Sequence, residues 1–390
     1  MEPAVTAAIK KAGLWGEIVG KVSDGGANLL KLWRALKTQG GCEAIGLKES
    51  YDGTCYTHGL NDMTRDATNS QCRGLNPDED ASKKTKPKST LPGVKWLSAL
   101  DPMASFRKMA KLVTFTKQSS PAQRGLFHCQ AMFALPVRML PSAVITRFIS
   151  QAESWRAMIG CKPAINFLFT TPPSLTSDGK PCITRASCAA HLPSAIDWDV
   201  IVNALNVIDQ AISLVVKSQG LSQDLPQMTI SLINLYVLWQ KMCADLEEQK
   251  QFLHDNDIGS DLLQMQQNMC FILLHAMEPF MAPLLSFVPA QAHVMYGLLL
   301  SPRYKELRQV DELWAAVHHK EERKVACLRV IEQYEAGLID LMVAAPLFGR
   351  EEIVIGEEDT TPPGSCIHNT RAHTFCLIHI HTYIEHTYFS

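Results

Sequence analysis

The sequence has no excess of positive charge. Its 37 lysines and arginines stand against 39 aspartates and glutamates, and the formal net charge is −2 at pH 7. A protein with this balance has no overall positive field that attracts nucleic acid, although a local basic patch can still do so. Any contact with DNA must therefore be regional. The hydrophobic fraction of 46% is that of a globular protein with a sizeable core, which excludes disorder throughout the chain.

The start of the sequence does not predict a secretory leader. The start, Met1-Glu2-Pro3, opens neither a basic segment nor an apolar one, and the twelve cysteines are scattered over the whole length. We interpret the cysteines as free thiols in a reducing compartment and expect the protein not to be secreted.

Long apolar runs are absent apart from residues 279–300, where His293 is the only ionisable side chain. Pro279, Pro283 and Pro289 would break a membrane-spanning helix, and a histidine is costly in lipid. We predict two buried helices joined by a proline turn, and no membrane partner.

The first 74 residues have the pattern of a small α/β unit. Residues 18–22 are a short apolar run of strand length, and Ser23-Asp24-Gly25-Gly26 follows as a turn. Apolar residues at intervals of three and four then predict a helix over 29–36. A second strand is predicted at 54–56, with another helix after His58.

Beyond this unit, the composition predicts a Pro/Lys-rich linker at 75–94, a helical domain at 95–346 and a disordered tail at 347–390. The helices are expected at 99–134, 142–159, 194–217, 228–254, 260–277, 290–300 and 306–343. Ser194 and Asp197 resemble a helix capping box. The tail is acidic and then rich in His, Ile and Thr, so it is either a disordered protein segment or translated repeat DNA.

Asp24 is the first candidate for chemistry, and two interpretations stay open. An aspartate before a helix commonly accepts hydrogen bonds from the free amides of the first turn. A carboxylate at the carboxyl end of a strand can instead hold Mg²⁺, and two such ions can clamp the oxygens of a phosphoryl transfer. One carboxylate does not suffice for that chemistry.

Four blocks of residues occur in the same order as in one known family. The first block is Val22-Ser23-Asp24-Gly25-Gly26-Ala27-Asn28-Leu29-Leu30, and the second is Cys55-Tyr56-Thr57-His58-Gly59-Leu60-Asn61. The third comprises Lys111-Leu112-Val113-Thr114-Phe115, Lys117-Gln118-Ser119-Ser120, Leu135-Pro136, Thr146-Arg147-Phe148 and Lys162-Pro163-Ala164-Ile165. The fourth is Tyr296 to Leu307 around Ser301-Pro302-Arg303-Tyr304. This order resembles the hAT superfamily of DNA transposases, over residues 4 to about 345.

The resemblance implies a mainly α chain with a small α/β remnant: a partial RNase H-like core segment followed by a large all-helical insertion. That family uses three acids and Mg²⁺ to cut and join DNA. Asp24 matches the second acid, the first would precede Met1, and the third has no match beyond Leu347. We therefore expect Asp24 to be a relic metal-binding acid, Mg²⁺ not to be functionally bound, and the chain to be a fragment truncated at both ends and inactive alone.

The resemblance also implies DNA contacts. Cys55 and His58 match a structural and DNA-end-contacting motif, and we do not expect zinc there because no second ligand pair has suitable spacing. Arg147 and Phe148 match the family's Arg-Trp pair, where the tryptophan can stack on a base. A packed helix face is the alternative for both residues.

The densest basic stretch is residues 83–124, where ten lysines and arginines accompany the single acid Asp101. Lys108, Lys111 and Lys117 are predicted to contact phosphates without reading sequence, and a merely solvated basic face is the alternative. The run 83–88 is a weak nuclear-import candidate, so we expect a nuclear or otherwise cytoplasmic protein.

Two functions follow. The first is a hAT transposase-like fragment, catalytically inactive alone, with residual non-specific DNA binding. The second is a domesticated helical scaffold that binds a protein partner or itself. Neither implies a small-molecule substrate.

Overall fold

A computed structural model of the chain describes residues 20–23, 51–54, 56–74, 91–143, 148–171, 179, 183, 191–218, 225–254, 257–301, 303, 307–317 and 320–344. The chain divides into two compact units. One unit comprises Leu60–Leu221 and Leu238–Met277, and the other comprises Met1–Gly59, Ser222–Val237 and Glu278–Ser390. The predicted four-part division stays a prediction, because 75–90 and 345–390 lie outside the described residues.

Two short strands form a parallel pair near the start of the chain. Strand β1 (Gly20–Ser23) pairs with β2 (Tyr51–Thr54), so that Gly20 lies opposite Tyr51 and Ser23 opposite Thr54. Helix α1 (Tyr56–Ala67) follows β2. Four residues in each of two strands do not by themselves define an RNase H-like core.

Most of the rest of the described chain is helical, which confirms the predicted mainly α class. A 3₁₀ turn at Ser70–Arg73 precedes helices α2 (Pro102–Gln118), α3 (Ser120–Met132), α4 (Phe148–Gly160), α5 (Lys162–Thr170), α6 (Ala195–Ser218), α7 (Leu225–Lys250) and α8 (Ile258–Leu285). A second 3₁₀ turn at Pro289–Gln291 leads to α9 (Ala292–Leu300), α10 (Arg308–Val317) and α11 (Lys320–Ala344).

The single helix predicted over 99–134 is wrong, because the chain breaks at Ser119 into α2 and α3. Pro121 has no amide hydrogen to donate to a preceding carbonyl, and its ring would clash within a continuous helix. Ser119 takes an extended conformation, and its hydroxyl accepts a hydrogen bond from the amide of Ala122 at 3.3 Å. The break turns α3 back to pack against α2 and α5.

Helix α6 is at the centre of its unit, where it packs against α2 and α4. Its predicted capping box is confirmed. The Ser194 hydroxyl accepts from the Asp197 amide at 3.2 Å, and the Asp197 carboxylate accepts from the Ser194 amide at 2.8 Å. Its apolar stripe is buried at positions 200, 201, 208, 212 and 215.

Helix α8 carries a buried row of polar residues that fastens the segment before α2. Asp261 accepts from the Leu100 amide at 2.9 Å. Asn268 accepts from the Lys95 amide at 2.9 Å and donates to the carbonyls of Lys95, at 2.7 Å, and Cys72, at 2.9 Å. Cys72 and Lys95 thus meet at one side chain of α8.

The position predicted for the proline turn within residues 279–300 is wrong in part. The helix continues through Pro279 and Pro283 to Leu285, and the turn lies instead at Pro289. Burial of Met281 and Leu284 offsets the hydrogen bonds that the two internal prolines cannot make.

By length and composition alone, α6 (over Ala195–Val216) and α8 could cross a membrane. Half of the apolar 18-residue window in each helix is buried within the chain, as in the core helices of globular proteins. The polar row of α8 would also be costly in lipid. That the protein has no membrane partner stays a prediction.

Candidate nucleic-acid interface

Helix α2 presents one buried face and one exposed face. It begins at Asp101, whose carboxylate caps the amide of Met103 at 3.0 Å, and Pro102 occupies the first helical position. The buried face includes Phe106, Met109 and Leu112, and Phe106 stacks on Trp155 of α4 with ring centroids 4.9 Å apart. Burial of this apolar face fixes which residues α2 turns to solvent.

Three of the exposed residues on α2 are basic: Arg107, Lys111 and Lys117. We call them the α2 basic face. At 100° per residue they lie within about one third of the helix circumference, and they extend over about 15 Å along the axis. None of them forms an ion pair with an acid in the described part of the chain. No acid of the described residues neutralises their charges, although Nε of Arg107 donates to the carbonyl of Met103 at 3.0 Å. A merely solvated basic face would look the same.

Lys108, the fourth candidate on this helix, has a different environment. Its Nζ lies 2.9 Å from Oδ2 of Asp197, a carboxylate that is only 8% exposed. Burial raises the pKa of Asp197, but hydrogen bonds from Lys108, Ser194 and Ser105 outweigh this effect and lower the pKa to about 2. Lys108 is thus engaged in holding α2 to α6, and we no longer assign it to a phosphate.

Other members of the predicted basic stretch contribute less to this surface. Lys95 lies beside Glu247, with 3.9 Å between Nζ and Oε1, and both side chains are more than half exposed. Such a pair is weak in water, but the Glu247 carboxylate offsets the positive charge of Lys95 at a distance. Lysines 83, 84, 86 and 88 lie outside the described residues.

The structure does not test most of the other predicted site residues. Asp24, Cys55 and Arg147 lie outside the described residues. His58 lies in α1 and Phe148 is the first residue of α4, but their side chains are also outside the description. The roles assigned to these five residues therefore stay predictions.

A cavity of about 80 Å³ lies between α2 and α4, next to the α2 basic face. Its walls include Phe106, Thr114, Gln151, Ser154 and Trp155. This volume is well below the roughly 300–1,000 Å³ of pockets for drug-sized ligands. The cavity is too small for a nucleotide, and the candidate interface is the convex face of α2.

The described residues contain no group of three histidine, cysteine or acidic side chains close enough to hold a metal ion. Asp24 lies outside the described residues, so the Mg²⁺ site that the resemblance implies, and the expectation that it is not functionally occupied, stay predictions.

The sequence analysis missed one pair in this unit. The Lys108–Asp197 pair joins residues 89 positions apart, and the capping box was its only local signal. Six described cysteines, at 72, 129, 161, 243, 270 and 327, are buried thiols that form no disulfide with one another.

Comparison of the chain with protein-family models, with curated proteins and with solved structures found no match in any of the three.

Proposed function

We propose that the chain is a hAT transposase-like fragment that is catalytically inactive alone and binds nucleic-acid phosphates without sequence preference. The observation that carries the binding function is the α2 basic face, which has three cations on one exposed side of a helix. Phosphate contacts of this kind position a protein on DNA and carry no sequence information.

The transposase-like origin is supported by the order of the four sequence blocks and by the strand pair. Asp24 is the residue directly after β1, and Cys55 directly follows β2. In open α/β sheets, functional residues follow the carboxyl ends of parallel strands. We propose that β1 and β2 belong to a partial RNase H-like core and that Asp24 is its remaining acid.

The binding function is tested by the salt dependence of affinity. We expect the full chain to bind labelled 20-base-pair duplexes of two unrelated sequences with equal affinity. The logarithm of the binding constant should fall with the logarithm of salt concentration with a slope of about −3, since each neutralised phosphate contributes about −0.9. Fluorescence anisotropy from about 50 to 200 mM salt measures this slope.

Matched variants locate the surface. Lys111→Gln and Lys117→Gln should each reduce the slope by about one, as expected for one lost phosphate contact. Lys241→Gln makes the same charge change at an exposed position on α7 and should leave the slope unchanged. Equal effects of all three substitutions would show that only net charge matters, and absent binding by the wild type would overturn the proposal.

A protein-binding scaffold is the second candidate, and an exposed apolar turn favours it. Phe252 is 83% exposed between α7 and α8, with Leu253 and Ile258 exposed nearby. Apolar groups gathered in this way are typical of association surfaces. If this turn mediates self-association, sedimentation equilibrium should give a larger mass for the wild type than for Phe252→Ser, and equal monomer masses would reject that role.

A further inference from the structure

An exposed loop of apolar residues follows α3. Residues 131–138 form this loop, which we call the α3 loop. Met132 and Val137 are each 55% exposed, and Phe133 is 41% exposed. An apolar patch of this kind on a protein surface is typical of a site that another molecule covers.

The α3 loop is held in one conformation from within. Gln130 is fully buried at its base, where Nε2 donates to the carbonyl of Arg138 and Oε1 accepts from the amide of Arg138, both at 3.0 Å. Ala134 has φ +52°, in the left-handed region, and the amide of Leu135 donates to the Gln130 carbonyl at 2.8 Å. Such strain persists where surrounding contacts hold it. The loop therefore loses little conformational entropy when a partner covers it.

The backbone of the α3 loop is also suited to burial. The amides at positions 133, 134, 135 and 138 already donate within the loop or to the end of α3, and Pro136 has no amide hydrogen. A partner that excludes water from the loop thus leaves few donors unpaired. Interfaces with nucleic acid are polar and wet, so the apolar surface of a protein is the better match for this loop.

The charge around the α3 loop is of one sign. Residues 102–152 contain seven lysines and arginines and no aspartate or glutamate. Arg138, the last residue of the loop, is exposed and forms no ion pair with the described residues. The complementary surface is therefore an apolar patch that is surrounded by acids.

The same unit has such a surface where α7 connects to α8. We call residues 245–258 the α7–α8 turn. Phe252, Leu253 and Ile258 are exposed in it. Residues 245–257 contain five acids and one lysine, and that lysine, Lys250, bonds to Gln264 on α8. Three of the acids are exposed and form no ion pair within the described part of the chain: Asp245, Glu248 and Asp257.

We propose that the α3 loop of one copy docks on the α7–α8 turn of a second copy. Both patches lie in the unit that comprises Leu60–Leu221 and Leu238–Met277, so each copy presents one loop and one turn. Such a contact either closes reciprocally in a two-fold dimer or repeats into a ring or chain. A few apolar side chains on each side place it at the weak end of protein–protein contacts. The inference rests on the second candidate function, self-association through the turn at Phe252, and names what that turn binds.

Sedimentation equilibrium of the full chain at increasing concentration tests the association. The mass of the wild type should rise to that of a dimer or beyond, and added salt should lower it, because the two patches attract through opposite charges. A wild type that stays monomeric at every concentration would overturn this inference and the self-association function together.

Two variants remove one patch each. The loop variant combines Met132→Ser with Val137→Ser, and the turn variant is Phe252→Ser. Phe133 is kept, because its ring packs edge-on against Phe167 of α5 with centroids 5.8 Å apart. Each variant should lower the association constant by about tenfold or more and keep the wild-type circular dichroism spectrum, since the substituted side chains are exposed.

Mixing the two variants identifies which patches pair. The loop variant keeps its turn and the turn variant keeps its loop, so an equimolar mixture has one intact contact. Sedimentation velocity with a fluorescent label on one variant should show a heterodimer and nothing larger. If a turn binds another turn, the loop variant alone associates like the wild type. That result would reject this inference and leave self-association standing.

Charge reversal is the matched control for the electrostatic part. Arg138→Glu should lower the association constant about tenfold, whereas Arg308→Glu makes the same change at an exposed position on α10, in the other unit, and should have little effect. Equal effects would show that only net charge matters and would contradict the pairing. The loop variant should also bind duplex DNA with the affinity of the wild type. Loss of DNA affinity with unchanged association would assign the loop to nucleic acid and overturn the proposal.

Discussion

Lys108 Nζ lies 2.9 Å from Oδ2 of Asp197, and this pair joins the middle of α2 to the first turn of α6. The same carboxylate accepts hydrogen bonds from the hydroxyls of Ser105, at 2.8 Å, and Ser194, at 2.7 Å. One side chain thus caps a helix and fixes the neighbouring helix to it.

Asp197→Ala should lower the free energy of unfolding by about 2–4 kcal/mol, because it leaves the buried Ser105 hydroxyl without an acceptor and Lys108 without its partner. Urea denaturation followed by circular dichroism measures the change. Asp209→Ala is the control, because it removes an ion pair with Arg156 in which both side chains are about 40% exposed. That loss should stay below about 1 kcal/mol. Equal losses would refute the special role of Asp197.

Acid should weaken the protein through the same carboxylate. The pKa of Asp197 falls from 3.8 to about 2 on folding, so the unfolded chain binds its proton more readily than the folded chain does. The stabilisation is complete above about pH 4 and is lost as the pH falls toward 2, in total about 2 kcal/mol. The difference in unfolding free energy between the wild type and Asp197→Asn should shrink over this range. A constant difference would contradict the lowered pKa.

Asn268 should be among the most sensitive polar positions in its unit, because its amide satisfies three backbone groups of Cys72 and Lys95. Asn268→Ala leaves these groups without a side-chain partner and should cost about 3 kcal/mol or more. Asn203→Ala removes one exposed hydrogen bond to Asp199 and should change the unfolding free energy by less than about 0.5 kcal/mol. Chemical denaturation of both variants measures these changes. Equal losses of unfolding free energy would contradict the special role of Asn268.

Three glycines should respond differently to alanine. Gly74 has φ +75° and ψ 176°, and an added Cβ would lie 2.4 Å from the carbonyl oxygen of Lys95. Gly74→Ala should therefore destabilise by more than about 3 kcal/mol, from both the backbone conformation and the collision. Gly179 has φ +74° with open space around it, so Gly179→Ala should cost only about 1–2 kcal/mol.

Gly160 completes this series with the opposite sign. It ends α4, and an added Cβ meets nothing within 4 Å. Gly160→Ala should stabilise by up to about 1 kcal/mol, since alanine is the better helix former. A common response of the three variants in thermal unfolding would show that the Gly74 contact is not the cause.

The sequence predicted features that depend on nearby residues. The capping box of α6 involves two residues three positions apart, and the structure has the hydrogen bonds that this spacing predicts. The break at Ser119 was missed although Pro121 was visible, because apolar periodicity continues across it. At Pro279 and Pro283 the sequence instead predicted a break where the helix continues. Tertiary burial there outweighs the local cost of the prolines.

The candidate interface likewise combines features that the sequence predicts with features that depend on tertiary packing. The basic residues of α2 could be read from the sequence, but which of them are available depends on an acid brought close by folding. Lys108 and Lys111 are both lysines of α2, and the sequence alone gives no reason to distinguish them. Only the approach of Asp197, which the register of α6 against α2 determines, engages Lys108 and leaves Lys111 exposed.

Nuclease activity is the sharpest test of the proposed inactivity. Two metal ions in such chemistry need several oxygen ligands, and Asp24 is the one acid that matches the family's pattern. The full chain with Mg²⁺ or Mn²⁺ should therefore nick supercoiled plasmid no faster than Asp24→Asn prepared in parallel. Activity that both proteins share would indicate a contaminating nuclease. Cleavage by the wild type that Asp24→Asn abolishes would require further carboxylates near Asp24, and the proposal of a relic acid would then be wrong.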